Sequence, residues 1–208
     1  LGDSQMLDTN SSPTDLHSAA GGGVSGETFD RALDGTSSTY DQESPLVVTN
    51  YSTPGLSNLT ATLWMKKSTT FGVNQYPNLF SYNKDGDERV EVFFQNGDDV
   101  IDLRMESPGV NDTVLSTDAY GGGVGEWVFF AVSYDASSPN SSNVIFYKGS
   151  TSSSASVVSY ADAGAHDFGY SDISFSVGNR AAMTRAFDGY LDDFRLYDTA
   201  LSGSEIED

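Results

Sequence analysis

The sequence predicts an all-β fold, a two-sheet antiparallel β-sandwich of the jelly-roll type with a short helical turn at its C-terminus. Runs rich in β-branched and aromatic residues, roughly a dozen of them, alternate with turns rich in Gly, Asn, Asp and Ser. Asp85-Gly86 and Asn96-Gly97 separate three consecutive runs, and such dipeptides are strong short-range hairpin signals. Because hairpins join antiparallel strands and no crossover helices intervene, packed sheets are favoured over an α/β layout.

The predicted elements follow one another without a visible linker, so residues 1–208 are interpreted as a single domain. The polar, turn-rich segment up to about Gly26 is predicted to be loop with one edge strand at most. Helix is expected only between Leu201 and Ile206, where Ser202 and Glu205 have the spacing of a capping box. Strands are expected within ETFDRAL, SPLVVTN, TATLWMKK, NLFSYN, RVEVFFQN, VIDLRME, TVLST, EWVFFAVSYD, NVIFYKG, SVVSYAD, ISFSVGN and FDGYLDDFRLYD.

The composition describes an acidic chain with enough apolar area for a core. Asp and Glu number 30 against 10 Lys and Arg, which gives a formal net charge of -20. Such a surface repels nucleic acid and anionic lipid headgroups, so neither is expected as a partner. The acid excess fits a solvated face adapted to salty water, divalent-cation ligands or a cationic partner. The chain has no cysteine, which excludes disulfides, and no apolar run long enough to span a membrane.

The last predicted strand contains a phase error that a β-bulge would correct. Phe194 and Leu196 share one face at the period of two, whereas Leu191 is out of phase with them. One extra residue at Asp192 and Asp193 would restore the phase, and bulges often re-aim a side chain beside a site. These two acids are therefore the first candidates for a functional role.

The C-terminal sequence also carries a family resemblance. From Phe187 to Ile206, FDGYLDDFRLYDTALSGSEI resembles the closing signature of laminin-G-like jelly-roll domains in the concanavalin A-like lectin and glucanase superfamily. Upstream segments agree in order and spacing, so that the resemblance covers essentially the whole chain: GETFDRALDG, LSNLTATLWMKK, GEWVFFAVSYD and VIFYKG.

The resemblance implies a concanavalin A-like jelly roll in a secreted or cell-surface protein. The function it implies is a non-catalytic recognition module that binds polysaccharide or glycoprotein. Two alternatives stay open, namely a structural or adhesion domain that binds a protein partner and a divergent glycoside hydrolase or lyase.

The resemblance further implies a structural calcium ion that joins the start of the chain to the last strand. Asp192 or Asp193 would supply the acid of the closing signature, with Asp34 and Asp8 as companions. Calcium accepts about six to eight oxygen ligands in loose geometry, which Asp side chains and backbone carbonyls in turns can provide. The alternative is that one Asp of the pair accepts backbone hydrogen bonds at the bulge while the other faces water.

A glycosidase of this superfamily needs two carboxylates on one face of a strand. The pattern E-x-D-x-E is absent, and the nearest acids, Glu88 and Glu91, have the odd spacing that puts them on opposite faces of a regular strand. His17 and His166 lie far apart in polar loops and support no nucleophile-base pair. An enzyme is therefore not expected.

Sugar sites need aromatic faces beside hydrogen-bonding groups. Trp64 and Trp127 align with core positions of the resembling family and are assigned to packing. Candidates for a binding rim are aromatic and acidic residues in or beside predicted loops, namely Tyr76, Tyr82, Tyr120, Tyr170, Asp98 and Asp99.

Overall fold

The computed structural model describes residues 23–25, 31–34, 46–51, 57–72, 75–84, 88–95, 100–107, 109–117, 122–138, 142–166, 173–180 and 185–207. The described residues form thirteen strands and one short helix. In chain order they are β1 (Gly23–Ser25), β2 (Arg31–Asp34), β3 (Leu46–Tyr51), β4 (Asn58–Lys67), β5 (Asn78–Lys84), β6 (Glu88–Phe94), β7 (Ile101–Ser107), β8 (Val110–Ser116), β9 (Trp127–Asp135), β10 (Val144–Ser150), β11 (Ser153–Ala161), β12 (Ile173–Val177), β13 (Gly189–Tyr197) and α1 (Gly203–Glu207).

The strands form two antiparallel sheets that pack as a sandwich, which confirms the predicted fold class. The seven-stranded sheet has the order β1-β2-β13-β4-β9-β10-β11, and the six-stranded sheet has the order β3-β12-β5-β6-β7-β8. The pairs β5-β6 and β6-β7 are consecutive and antiparallel, as Asp85-Gly86 and Asn96-Gly97 predicted.

The core lies between the sheets and is built by alternate residues of each strand. In β4 the core residues stand at every second position and include Leu63 and Met65, and in β6 the core residues include Val90 and Val92. Aromatic side chains join the two layers, since the ring centroids of Phe80 and Phe194 lie 5.5 Å apart.

The predicted bulge in β13 is confirmed by its register against β4. Asp192 pairs with Trp64 and Arg195 pairs with Thr62, so two residues of β13 span one residue of β4. Asp193 adopts a positive φ of 49°, a conformation that costs a non-glycine residue free energy. The bulge therefore keeps residues on both sides of it in phase with the core at the cost of local backbone strain.

The C-terminal tail is held on the outward face of the seven-stranded sheet. The Thr60 hydroxyl donates to the Thr199 carbonyl at 2.8 Å and accepts from the Leu201 backbone N–H at 2.8 Å. Ile206 and Leu201 pack against a small apolar cluster that is separate from the main core.

The predicted helical turn is confirmed as the five-residue helix α1. The Ser202 backbone N–H and hydroxyl both donate to Glu205 Oε2, at 2.8 Å and 2.6 Å. These bonds, the hydroxyl first, hold the pKa of the Glu205 carboxyl below its ordinary value. In the described part of the chain, no helix has the length and apolar character needed to cross a membrane.

Candidate functional site

The six-stranded sheet turns a polar face away from the core. Since Val90 and Val92 of β6 point into the core, Glu91 and Phe93 point to the opposite side, here called the outward face. Phe93 is only 5% exposed although it does not belong to the core cluster. A side chain that is buried on the outward face is covered by groups that do not belong to the core between the sheets.

A row of polar residues crosses four neighbouring strands on this outward face. Ser176 of β12 pairs with Ser81 of β5, Ser81 pairs with Glu91, and Glu91 pairs with Arg104 of β7. Glu91 is only 2% exposed, and both serines are fully buried. The antiparallel register therefore brings hydroxyl, carboxylate and guanidinium groups from four separate segments into one line.

Within the described ranges of the chain, three buried side chains of this patch carry polar atoms without a hydrogen-bond partner. They are the Ser81 hydroxyl, Glu91 Oε2 and both amide atoms of Asn78. Leaving one such group unsatisfied costs about 1–3 kcal/mol, so folded proteins keep few of them. Ser176 differs, because its hydroxyl donates to the Asn179 carbonyl at 2.8 Å. Ser81, Glu91 and Asn78 therefore carry an uncompensated desolvation cost on this face.

An aromatic and arginine cluster borders these polar atoms. Phe93 pairs with Asn78 in the register and stands edge-on to Tyr76, with ring centroids 6.3 Å apart. The Arg185 guanidinium lies 5.0 Å from the Tyr76 centroid and 5.6 Å from the Phe93 centroid, within the range of cation–π attraction. The cluster thus places a flat apolar surface directly beside hydrogen-bonding side chains.

A buried asparagine fixes the segment that carries Arg185. Asn179 Oδ1 accepts from the Arg180 backbone N–H at 2.8 Å and from the Arg185 backbone N–H at 2.9 Å. The Asn78 backbone N–H donates to the Arg185 carbonyl at 2.9 Å, which ties the same residue to β5. Arg185 is therefore held by backbone bonds on two sides.

Charge on this outward face is balanced although the chain as a whole is strongly acidic. Arg89 Nε donates to Glu106 Oε2 at 2.6 Å in a partly buried ion pair. Glu91 and Asp102 add carboxylates, and three arginines contribute positive charge: Arg89, Arg104 and Arg185. In a chain of net charge -20 with only 10 Lys and Arg, three of these basic residues lie on this face.

The four acids proposed for calcium have different surroundings. Asp192 Oδ1 accepts the Asp193 backbone N–H at 2.8 Å, and Asp193 Oδ1 accepts from Arg195 Nε at 3.1 Å. Asp34 lies opposite Tyr190 in the β2-β13 pair, and Tyr190 is two residues before Asp192 in β13. The side chain of Asp34 and the whole of Asp8 lie outside the described part of the chain. The guanidinium already neutralises Asp193, so that acid fits a calcium site poorly.

No group of three or more His, Cys, Asp or Glu side chains that could hold a metal occurs among the described residues. The observed bonds of Asp192 and Asp193 correspond to the alternative interpretation, in which one acid of the pair accepts a backbone hydrogen bond. Calcium accordingly stays a prediction that the described residues neither assemble nor test.

The predicted rim residues have three outcomes. Tyr76 lies in the aromatic and arginine cluster of the outward face. Tyr82 is 2% exposed and belongs to the core, so its predicted rim position is wrong; its phase with Phe80 turns it inward. The remaining candidates lie outside the described residues: Asp98, Asp99, Tyr120 and Tyr170.

The prediction that both tryptophans pack at core positions is wrong. Trp64 alternates with the core residues Leu63 and Met65, and Trp127 pairs with Lys66. Both rings are partly buried on the outward face of the seven-stranded sheet, where Trp64 stands edge-on to Phe129.

Sequence reasoning missed the residues that define the patch, above all Phe93, Glu91, Ser81 and Asn78. A signal was present in RVEVFF, where the alternation of valines with other residues sends Glu91 and Phe93 to one side. The observed register confirms that Glu88 and Glu91 lie on opposite faces of β6, so these two acids do not form a catalytic pair.

Solved structures with a similar fold include proteins that bind sugars. Domain 4 of AbnA, an extracellular GH43 arabinanase from Geobacillus stearothermophilus solved with arabinotriose, is 19% identical with a TM-score of 0.62, covering 89% of this chain and 79% of that one. The CBM40 of a Ruminococcus gnavus IT-sialidase bound to α2,3-sialyllactose is 14% identical with a TM-score of 0.54, covering 77% and 95%. A heptameric SAP-like pentraxin from Limulus polyphemus is 14% identical with a TM-score of 0.55, covering 85% and 78%. At these identities the likeness shows the fold alone.

No curated protein sequence matches the chain significantly. A family model does match it, over residues 40–207, and is described as concanavalin A-like lectin/glucanases superfamily. That match spans most of the chain, including every strand from β3 to β13 and the helix α1. The chain therefore belongs to the laminin-G-like family (Laminin_G_3) of the concanavalin A-like lectin and glucanase superfamily.

Proposed function

We propose that this domain is a non-catalytic recognition module that binds a glycan on the outward face of the six-stranded sheet. The observation that carries the proposal is the set of buried, unsatisfied polar atoms on Ser81, Glu91 and Asn78 beside the Phe93 ring. A pyranose or furanose ring has apolar C–H faces and a rim of hydroxyls, which suits an aromatic surface next to hydrogen-bonding groups.

The chemistry of each group assigns it a role. Glu91 Oε2 accepts from a sugar hydroxyl, the Ser81 hydroxyl and the Asn78 amide each donate or accept, and Phe93 with Tyr76 offers apolar surface. Because Ser81, Glu91 and Asn78 are at most 2% exposed, binding requires a local opening of the outward face. A ligand that then supplies hydrogen bonds recovers the desolvation cost that the unsatisfied atoms carry in the folded protein. Arg104 and Arg185 supply further donors at the edges.

The comparisons support this proposal in general terms. Two structures of similar fold were solved with arabinotriose and with α2,3-sialyllactose, so domains of this architecture accommodate quite different sugars. We propose a glycan as the ligand class, carried by a polysaccharide or glycoprotein, and an extracellular or cell-surface setting for the domain.

A glycan array that contains plant, algal and host glycans tests the proposal on the full chain. We expect binding to at least one glycan class. Because the proposed site contains no calcium, this binding should be the same with and without added calcium. Failure to bind every glycan would contradict the proposal and would favour the adhesion alternative with a protein partner. Release of sugar from laminarin, agarose or carrageenan would contradict the non-catalytic part.

Calcium is kept as a separate structural proposal. Asp192 is its best-placed acid, because the β2-β13 pairing brings the backbone near Asp34 alongside the last strand. A metal at this position would stabilise the junction between the start of the chain and β13, and it has no role in the glycan site proposed here.

A further inference from the structure

A groove of about 520 Å³ lies on the outward face of the seven-stranded sheet, on the other side of the molecule from the proposed glycan site. Trp64 and Phe129 contribute to its lining, together with the bulge residues Asp193 and Arg195 and the serine-rich turn at 150–154. Its volume falls in the range of small-ligand sites, which is roughly 300–1,000 Å³.

The floor of the groove is aromatic. Trp64 and Phe129 are cross-strand partners in the β4-β9 pair, and their ring centroids lie 5.5 Å apart at an interplanar angle of 62°. Gly149 is the partner of Phe129 on β10, and a Cβ there would lie 3.3 Å from the Phe129 Cβ and 3.2 Å from the Ala155 backbone nitrogen. The glycine therefore lets β11 and the Phe129 side chain approach closely beside the floor.

One wall is formed by the bulge. Asp193 and Arg195 form an ion pair with Nη2 and Oδ1 3.0 Å apart, and their side chains are 34% and 41% exposed. The positive φ of Asp193 is the type of local strain that persists where surrounding structure holds it, often at binding sites. A carboxylate and a guanidinium are thus presented side by side at the edge of the aromatic floor.

The opposite wall is a run of hydroxyl side chains at residues 150–154. The Ser150 hydroxyl lies 2.8 Å from that of Ser153 and 3.3 Å from that of Ser152, so these groups are ordered by mutual hydrogen bonds. All are uncharged and can donate or accept.

The charge of the groove selects against anionic ligands. Three carboxylates border it, those of Asp193, Glu205 and Glu207, against the single guanidinium of Arg195. The chain around it carries a net charge of -20, which adds to the repulsion of a negative ligand.

We propose that this groove is a second ligand site, which takes a neutral oligosaccharide of one to three sugar units. The apolar face of a sugar ring packs on Trp64 and Phe129, while its hydroxyls bond to the serine turn and to the Asp193–Arg195 pair. The site does not depend on the six-stranded sheet, and two sites on opposite sides let one domain bridge two glycan chains.

Titration of the full chain with arabinotriose, cellotriose and laminaritriose tests the groove, with α2,3-sialyllactose as an anionic probe. We expect one or more neutral probes to bind and to quench tryptophan fluorescence. Trp64→Ala should weaken that binding by about tenfold or more, because truncating a central aromatic contact commonly has effects of this size. Trp127→Ala is the matched control, since Trp127 lies on the same outward face and does not line the groove.

Two further variants keep the test valid if Trp64→Ala folds poorly. Asp193→Asn and Arg195→Lys change the bulge wall with little change of volume, and each should weaken neutral-probe binding while the melting temperature stays near the wild-type value. Ser81→Ala should leave groove binding unchanged, which separates this site from the proposed glycan site. Absence of binding by all three neutral probes, tighter binding of sialyllactose, or equal affinity of wild type and the groove variants would overturn the proposal.

Discussion

Ser81 and Glu91 lie opposite each other across the β5-β6 pair, and in the part of the chain that the structure describes neither the Ser81 hydroxyl nor Glu91 Oε2 has a hydrogen-bond partner. Both side chains are buried, with exposed fractions of 0% for Ser81 and 2% for Glu91. A buried hydroxyl and a buried carboxylate oxygen that stay unsatisfied weaken the fold, so selection for stability alone would favour smaller or apolar residues here. The glycan proposal explains why polar residues occupy these positions.

Two serines on this face provide a matched pair for that explanation. Ser81→Ala removes an unsatisfied hydroxyl and should raise the free energy of unfolding by about 1 kcal/mol, whereas glycan affinity falls. Ser176→Ala removes a hydroxyl that is hydrogen-bonded to the Asn179 carbonyl, so this variant should have a free energy of unfolding that is lower by about 1 kcal/mol. Urea unfolding of both variants measures the difference. Destabilisation of equal size in both would show that Ser81 is bonded in solution.

Tyr134 links the core to the loop that follows β11. Its hydroxyl donates to the Gly164 carbonyl at 3.0 Å and accepts the His166 backbone N–H at 2.7 Å. Tyr134→Phe should therefore cost about 1–3 kcal/mol of unfolding free energy, because it leaves the buried His166 N–H without this acceptor. Chemical denaturation at neutral pH gives the value, and a loss below about 0.5 kcal/mol would mean that another acceptor replaces the hydroxyl.

The same tyrosine predicts a pH dependence at the alkaline end. Burial raises the pKa of Tyr134 above its ordinary value of 10.0, and the charges of Asp135 and Asp162 act in the same direction. A group whose pKa is raised in the folded state contributes stability below its unfolded pKa and loses it as the pH rises through the folded pKa. Wild-type stability should fall above about pH 10, and Tyr134→Phe should lack that part of the decline. Parallel alkaline slopes for the two proteins would contradict the assignment.

The bulge in β13 predicts a ranking of substitutions at Asp193. Glycine tolerates a φ of 49° without strain, whereas a β-branched residue is strongly disfavoured there. Asp193→Gly loses only a half-exposed ion pair, so its stability should stay within about 1 kcal/mol of wild type. Asp193→Val should be less stable than Asp193→Gly by about 1–2 kcal/mol. Equal melting temperatures for the two variants would show that the backbone relaxes out of this conformation.

The calcium proposal has its own thermal test. A ligand that binds only the folded state raises its apparent stability, so EDTA should lower the melting temperature and added calcium should restore it. Asp192→Asn should abolish the difference between the two conditions, and Asp193→Asn should not, because Asp193 already pairs with Arg195. An identical melting curve in EDTA and in calcium would remove the proposal.

Local patterns were enough to predict the sheets and the bulge. The alternation of apolar residues, the Asp-Gly and Asn-Gly turns and the misplaced phase of Leu191 are all encoded within a few residues of sequence. The position of Tyr82 was also encoded, since it shares a phase with Phe80, but its proximity to a turn suggested a rim instead. Trp64 is a comparable case, because its alternation with Leu63 and Met65 places it on the outward face, whereas the family resemblance predicts packing at a core position.

The proposed glycan site could not be predicted in the same way. Ser176, Ser81, Glu91 and Arg104 come from four strands, and only the register between those strands puts them in one row. Register between distant segments depends on the packing of the whole core, which no local pattern specifies. Sequence reasoning could therefore find individual polar residues in strands without finding their common site.

Calorimetric titration with the glycan that binds best on the array tests most directly whether Glu91 belongs to a glycan site. Glu91→Gln keeps the shape of the side chain and removes its charge, and we expect an affinity loss of about tenfold or more, the usual scale for a charged hydrogen bond. Glu126→Gln is the matched control, because Glu126 is exposed and lies before β9, away from this face. Unchanged affinity in Glu91→Gln, with the protein folded, would contradict the account.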